Sequence, residues 1–153
     1  MAWRNKWQLQ AGFTFQKAKY KDARSWDDGG VAEEKRMFRT PETYGYFTMT
    51  YTPIKPLNIA LSGTYTGSML VEHRSGYIET NRTEKTRKFM DLGFKASYDF
   101  NLHKSTTLQL NAGLQNIFNA YQSDFDKGAD RDSGYIYGPG MPRSFFAGVK
   151  LSY

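Results

Sequence analysis

Six stretches of this 153-residue chain alternate apolar and polar side chains with a period of two. A strand sends successive side chains to opposite faces, so this pattern predicts strands with one apolar and one polar face. The stretches cover about 7–18, 44–52, 57–69, 88–100, 107–115 and 143–153. In the first, Trp7, Leu9, Ala11, Phe13 and Phe15 oppose Gln8, Gln10, Gly12, Thr14 and Gln16. In the last, Phe145, Ala147, Val149, Leu151 and Tyr153 oppose Ser144, Phe146, Gly148, Lys150 and Ser152. No stretch shows comparable helical periodicity.

The connections carry a second signal. Short ones fall at 53–56 and 101–105, and long polar ones at 19–42, 70–87 and 119–142. Long and short therefore alternate strictly, as the outer loops and periplasmic turns of outer-membrane barrels do. The polar faces are rich in Gln, Asn, Thr, Ser and Gly, which suits a crowded, hydrated lumen. The apolar faces carry no charge in mid-strand, where a lipid-facing charge costs on the order of 2–4 kcal/mol. The predicted fold is all-β: an antiparallel meander of six amphipathic strands, part of a transmembrane β-barrel, forming one segment over residues 1–153. Both termini are expected on the periplasmic side and the long loops outside. The alternative is a small independent β-barrel with a structural or ligand-binding role.

Composition excludes other classes. The apolar fraction is 39% and mean hydropathy is −0.68, and nothing approaches the roughly 20 apolar residues of a membrane-spanning helix. The 11 Tyr, 11 Phe and 3 Trp would furnish aromatic girdles. There is no cysteine, hence no disulfide framework. The net charge of +6 is scattered, so no nucleic-acid surface is expected. Residues 1–6 do not open a signal peptide, from which a mature chain, an engineered chain or a fragment is expected.

The run Asn116-Ile117-Phe118-Asn119-Ala120-Tyr121, then Gly140-Met141-Pro142-Arg143-Ser144-Phe145 and the terminal Tyr153, resembles the C-terminal end of TonB-dependent outer-membrane receptors. Arg39–Tyr46 and Tyr65–Met69 resemble members of that family from Bacteroidetes. The resemblance implies a barrel of about 22 strands with an N-terminal plug. Such receptors import iron-siderophores, haem, cobalamin or glycans on energy passed through TonB. This chain resembles the last six strands, without plug or TonB-contact segment, and is not expected to transport alone. The implied partners are the remaining strands and plug, as part of the same receptor or another chain, the barrel-assembly machinery, outer-membrane lipid, and TonB only through the plug. A homo-oligomer joined through open edges is the second way to satisfy them. Phe146, Gly148, Leu151 and Tyr153 resemble the C-terminal barrel-assembly signal. Arg39, Arg131, Tyr135, Tyr137 and Arg143 are the candidate ligand contacts at the outer rim.

No catalytic or metal site is expected. His73 and His103 fall at opposite ends of the predicted strands, which excludes a shared site, and both read as exposed loop histidines. His73, Glu72 and Ser75 are too close in sequence to make a plausible triad. Asp124, Asp126, Asp130 and Asp132 lack the Gly and terminal Glu of an EF-hand. They read as a solvated loop with internal Arg131 pairing and at most adventitious Ca2+; no other cofactor is expected.

Overall fold

A computed structural model of the protein describes residues 2–3, 6–27, 31–103 and 105–153, without the side chains of Ala2, Trp3 and His103. All regular structure is β. The strands are β1 (Ala2–Trp3), β2 (Trp7–Phe15), β3 (Lys19–Arg24), β4 (Glu34–Arg36), β5 (Thr43–Ile54), β6 (Leu57–Thr66), β7 (Leu70–His73), β8 (Arg82–Lys85), β9 (Phe89–His103), β10 (Thr106–Gln115) and β11 (Ser144–Ser152). The six expected strands are β2, β5, β6, β9, β10 and β11. With β1 at one edge they form a seven-stranded antiparallel sheet in the order β1-β2-β5-β6-β9-β10-β11. The expected turn at 101–105 contains Lys104, which lies outside the described residues, as does the His103 side chain on which one reading rested.

The register keeps like with like. On one face Leu9 pairs with Met49, Met49 with Leu61, Leu61 with Phe94, Phe94 with Leu114, and Leu114 with Phe145. On the other, Gln10 pairs with Thr48, Thr48 with Ser62, and Gln109 with both Asp99 and Lys150. A slip of one residue would turn every apolar side chain to the polar face. Aromatic pairs mark both ends of the apolar face: Trp7 stacks on Tyr51 at 3.9 Å near the short turns, and Phe13 stacks on Tyr65 at 6.0 Å near the long loops. Such belts lie where a barrel wall meets the two lipid interfaces.

Two long connections contain more order than the sequence pattern suggests. The first holds the β3–β4 hairpin, described on either side of residues 28–30, and the second holds the β7–β8 hairpin. Both hairpins are highly charged, so they lack the apolar alternation by which the long strands were read.

The wall itself has almost no buried apolar side chain. Phe145 is 76% exposed and Val149 70%, with Leu9, Phe13 and Leu110 also exposed. The buried hydrophobic cluster of Val71, Phe89, Tyr135 and Tyr137 lies instead among the long loops and the start of β9 beside them.

Candidate functional site

The rim formed by the long loops is built on the neck of the β10–β11 loop. Asn116 and Asn119 both adopt left-handed backbone conformations, with φ of 49° and 52°. Asparagine tolerates this region better than most residues. The Asn116 side chain is buried. Its amide donates to the carbonyls of Ala120 at 2.9 Å and Met141 at 2.8 Å, and its oxygen accepts from the Ala120 N–H at 2.8 Å. The Asn119 side-chain oxygen accepts from the Arg143 N–H at 2.9 Å. The two asparagines thus tie the start of the loop to its end.

Inside the loop, Gln122 substitutes for a strand partner. Its amide donates to the Tyr135 carbonyl at 3.0 Å and its oxygen accepts from the Tyr137 N–H at 2.8 Å. The hydroxyls of Tyr135 and Tyr137 donate to Asp124 at 3.1 and 2.7 Å. Burial opposes the charged form of Asp124, but those hydroxyls, with Arg87 nearby, outweigh it and hold the carboxyl below its ordinary value. Burial first, and then the Asp124 charge, push the Tyr135 phenol up to about 12; burial and then the hydrogen bond to Asp124 raise Tyr137 further.

Three connections lock together here. The His73 imidazole contacts both Asp126 oxygens, at 3.0 and 3.1 Å, and stacks on the Tyr135 ring at 3.6 Å with an interplanar angle of 4°. The Arg74 N–H donates to Asp132 at 2.8 Å. Burial would raise the Asp132 carboxyl; the N–H groups of Arg74 and Gly134, with the nearby His73 and Arg74, lower it instead. Arg39 donates from its guanidinium to the carbonyls of Gly134 and Ile136, and its N–H binds the Leu70 carbonyl at 2.8 Å.

Two expectations are corrected. His73 is not an exposed loop histidine: it is 3% exposed and paired with a buried carboxylate. The 124–132 loop is not simply solvated, since Asp126 is 6% exposed and Asp124 and Asp132 bind inward partners. Arg131 donates to the Gly128 carbonyl at 2.9 Å, and among the described residues no ion pair joins it to the aspartates of the loop. Among the described residues, no group of three or more His, Asp or Glu is arranged to hold a metal ion.

The loop encloses an open bowl of about 680 Å³, lined chiefly by Tyr121, Phe125, Ile136, Met141 and Pro142 with Arg131 beside them. That volume falls in the range of small-molecule sites. The segment 139–142 separates it from a more polar chamber of about 350 Å³ over Ser62, Thr64, Asp91 and Gln115 of the polar face. Of the five rim candidates, Arg131, Tyr135 and Tyr137 line the bowl, Arg39 braces it from behind, and Arg143 sits at the neck. Sequence reasoning missed Asn116, Gln122, Phe125, Ile136 and Met141. Asn116 and Met141 lie within the recognised motif, and that was the available signal. On β11, Phe146 lies across Gly113, Gly148 accepts a hydrogen bond from Asn111 at 3.1 Å and Leu151 is exposed; Tyr153, just past the strand, is fully exposed.

No protein-family model and no curated protein sequence matches the chain. Among solved structures, it is similar to the closed form of the ferric-catecholate import receptor Fiu from E. coli K12. Identity is 26% and the TM-score 0.63, over 96% of this chain and 19% of that receptor. The chain has the fold of a receptor barrel wall. This supports the resemblance to TonB-dependent receptors at the level of an all-β, outer-membrane transport barrel.

Proposed function

We propose that the chain forms the C-terminal wall and outer rim of a TonB-dependent receptor that takes up a scarce nutrient, such as an iron-siderophore, haem, cobalamin or glycan. The observation that carries this reading is the register: six long strands stay aligned so that one face is apolar and the other is mainly polar and lumen-like. The likeness to an import receptor adds to it. The role is binding and passage rather than catalysis. The chain spans 19% of that receptor, so transport requires the remaining strands and plug, with TonB acting through the plug. Arg39, Arg131, Tyr135, Tyr137 and Arg143 form or brace the ligand-facing rim. Phe146, Gly148, Leu151 and Tyr153 present the last strand to the assembly machinery. Adventitious Ca2+ is the only ion this reading assigns to the 124–132 loop. A Bacteroidetes-like character rests on Arg39–Tyr46 and Tyr65–Met69 alone.

Protease accessibility in intact Gram-negative cells expressing the chain tests this reading. Cleavage within 119–142 from outside, with both termini protected until the outer membrane is opened, is the expected result. Termini cut in intact cells, or protein absent from the outer-membrane fraction, would overturn it.

A further inference from the structure

We propose that Tyr135, Tyr137 and Asp124 form a ferric-ion site within the β10–β11 loop. The site goes beyond the receptor reading and does not depend on it, because the loop lobe has a buried interior of its own.

The chain brings three oxygens to one point by simple means. Tyr135 and Tyr137 are two residues apart, and in extended backbone such residues share a face. Ile136 between them turns away and is exposed. Gln122 fixes the segment by bonding the Tyr135 carbonyl and the Tyr137 N–H. Both rings are buried, and they meet edge to face at 5.5 Å. Their hydroxyls converge on Asp124, which is exposed and gives the cluster its opening to solvent.

The spacing suits a small, hard cation. Tyr137 Oη lies 2.7 and 2.8 Å from the two Asp124 oxygens, and Tyr135 Oη lies 3.1 Å from one of them. The two hydroxyls also stand within reach of each other. An octahedral ion with oxygen bonds of about 2.0 Å holds adjacent oxygens about 2.8 Å apart. Tyr135 Oη, Tyr137 Oη and one Asp124 oxygen are therefore placed as one face of such an octahedron, with hydroxyl protons where the ion would sit. Ca2+ needs longer bonds, of about 2.3–2.6 Å, and more oxygens.

Charge selects the trivalent ion. Burial and the Asp124 charge oppose loss of the phenolic protons. A cation in their place inverts that balance. Two phenolates and a carboxylate carry three negative charges, which Fe3+ cancels in full and a divalent ion does not; an uncancelled charge is costly where water is scarce. Phenolate is also a known ligand of iron. Arg87 acts on Asp124 and Glu84 on Tyr135, and their signs oppose. Binding forms three Fe–O bonds, releases both phenolic protons to solvent and moves no electron. The remaining positions are open to water or to the oxygens of a small chelator.

The test uses the full chain folded in detergent, with Fe3+ supplied as its nitrilotriacetate chelate. Wild type should take up a single Fe3+ per chain and develop a visible phenolate-to-iron charge-transfer band, which dithionite should bleach. The double change Tyr135→Phe, Tyr137→Phe should abolish the band, and Tyr121→Phe should leave it. Asp124→Asn should weaken binding on the order of tenfold or more. Ga3+, which gives no such band, should slow proteolysis of 119–142 in wild type. If the double variant has lost its protease resistance, Asp124→Asn decides in its place, since it keeps both rings. A colourless wild type, a band that survives the double change, unchanged affinity in Asp124→Asn, or no protection by Ga3+ would overturn the proposal. The receptor reading stands apart from all of these, since membrane topology tests it.

Discussion

Phe146 lies flat across Gly113, its partner on the neighbouring strand, so that a Cβ on Gly113 would stand 2.5 Å from the ring Cζ. Gly12 stands in the same relation to Tyr46, and Gly45 to Phe13. An aromatic ring laid over a cross-strand glycine covers bare backbone and pins the register. On the other side, the Phe94 carbonyl also crowds Gly113. Gly113→Val should therefore cost about 1–3 kcal/mol. Phe146→Ala in the same chain should relieve only part of the loss, because the carbonyl stays. Denaturant unfolding of the two single variants and the double variant measures the coupling.

Asn116 holds the neck of the β10–β11 loop through its side chain and sits at φ 49°. Asn116→Ala loses the three side-chain hydrogen bonds and places a Cβ residue without compensation in the left-handed region. The loop should loosen by about 2–3 kcal/mol. Asn116→Gly keeps the backbone freedom and should fall between alanine and wild type. Amide exchange over 117–142, against unchanged exchange in β9, is the measurement.

Removing one partner of the buried His73–Asp126 pair should be severe. Asp126→Ala strands His73 in an apolar site against Tyr135, at a cost of about 3–5 kcal/mol. The damage should stay local, with faster proteolysis of 119–142 and of the β7–β8 hairpin while the wall strands keep their protection.

Two groups set the pH limits of the rim. The folded Asp124 carboxyl lies below its ordinary value of 3.8, so its stabilising contribution is present above that value and lost as pH falls through the folded one. Loop proteolysis should accelerate in that acid range, and Asp124→Asn should remove the acid-dependent part. Tyr135 is raised from 10.0 to about 12, so its contribution is full below 10 and lost as pH rises through about 12. Tyrosinate absorbance should show at least one phenol titrating near pH 12, and Tyr135→Phe should remove it.

Tyr153 is fully exposed, with no described partner for its ring. Deleting it should slow assembly-machinery-dependent insertion several-fold and leave the unfolding midpoint of inserted protein nearly unchanged. An equal insertion rate would count against its place in the assembly signal.

The wall was legible because its physics is local. Alternation through Leu57, Ile59 and Leu61 assigns faces without knowledge of any neighbour, and the observed pairings agree with it. The rim was less legible because its contacts are not local. His73 and Asp126 are 53 positions apart, and neither neighbourhood signals the other. The hairpins in the long loops stayed hidden because Lys19–Arg24 and Arg82–Lys85 are mostly charged and form small sheets of their own. Asn116 was recognised within its motif, but its reach to Met141 needs the closed loop to be seen.

The placement of Val71, Phe89, Tyr135 and Tyr137 divides the chain into two materials with opposite solvent requirements. The loop lobe carries its own dry interior and can hold its shape against water. The wall beneath has its oily side turned outward and borrows an interior from whatever surrounds it. Detergent choice should therefore act on the strands first, and a preparation that has lost its wall can still present an ordered rim.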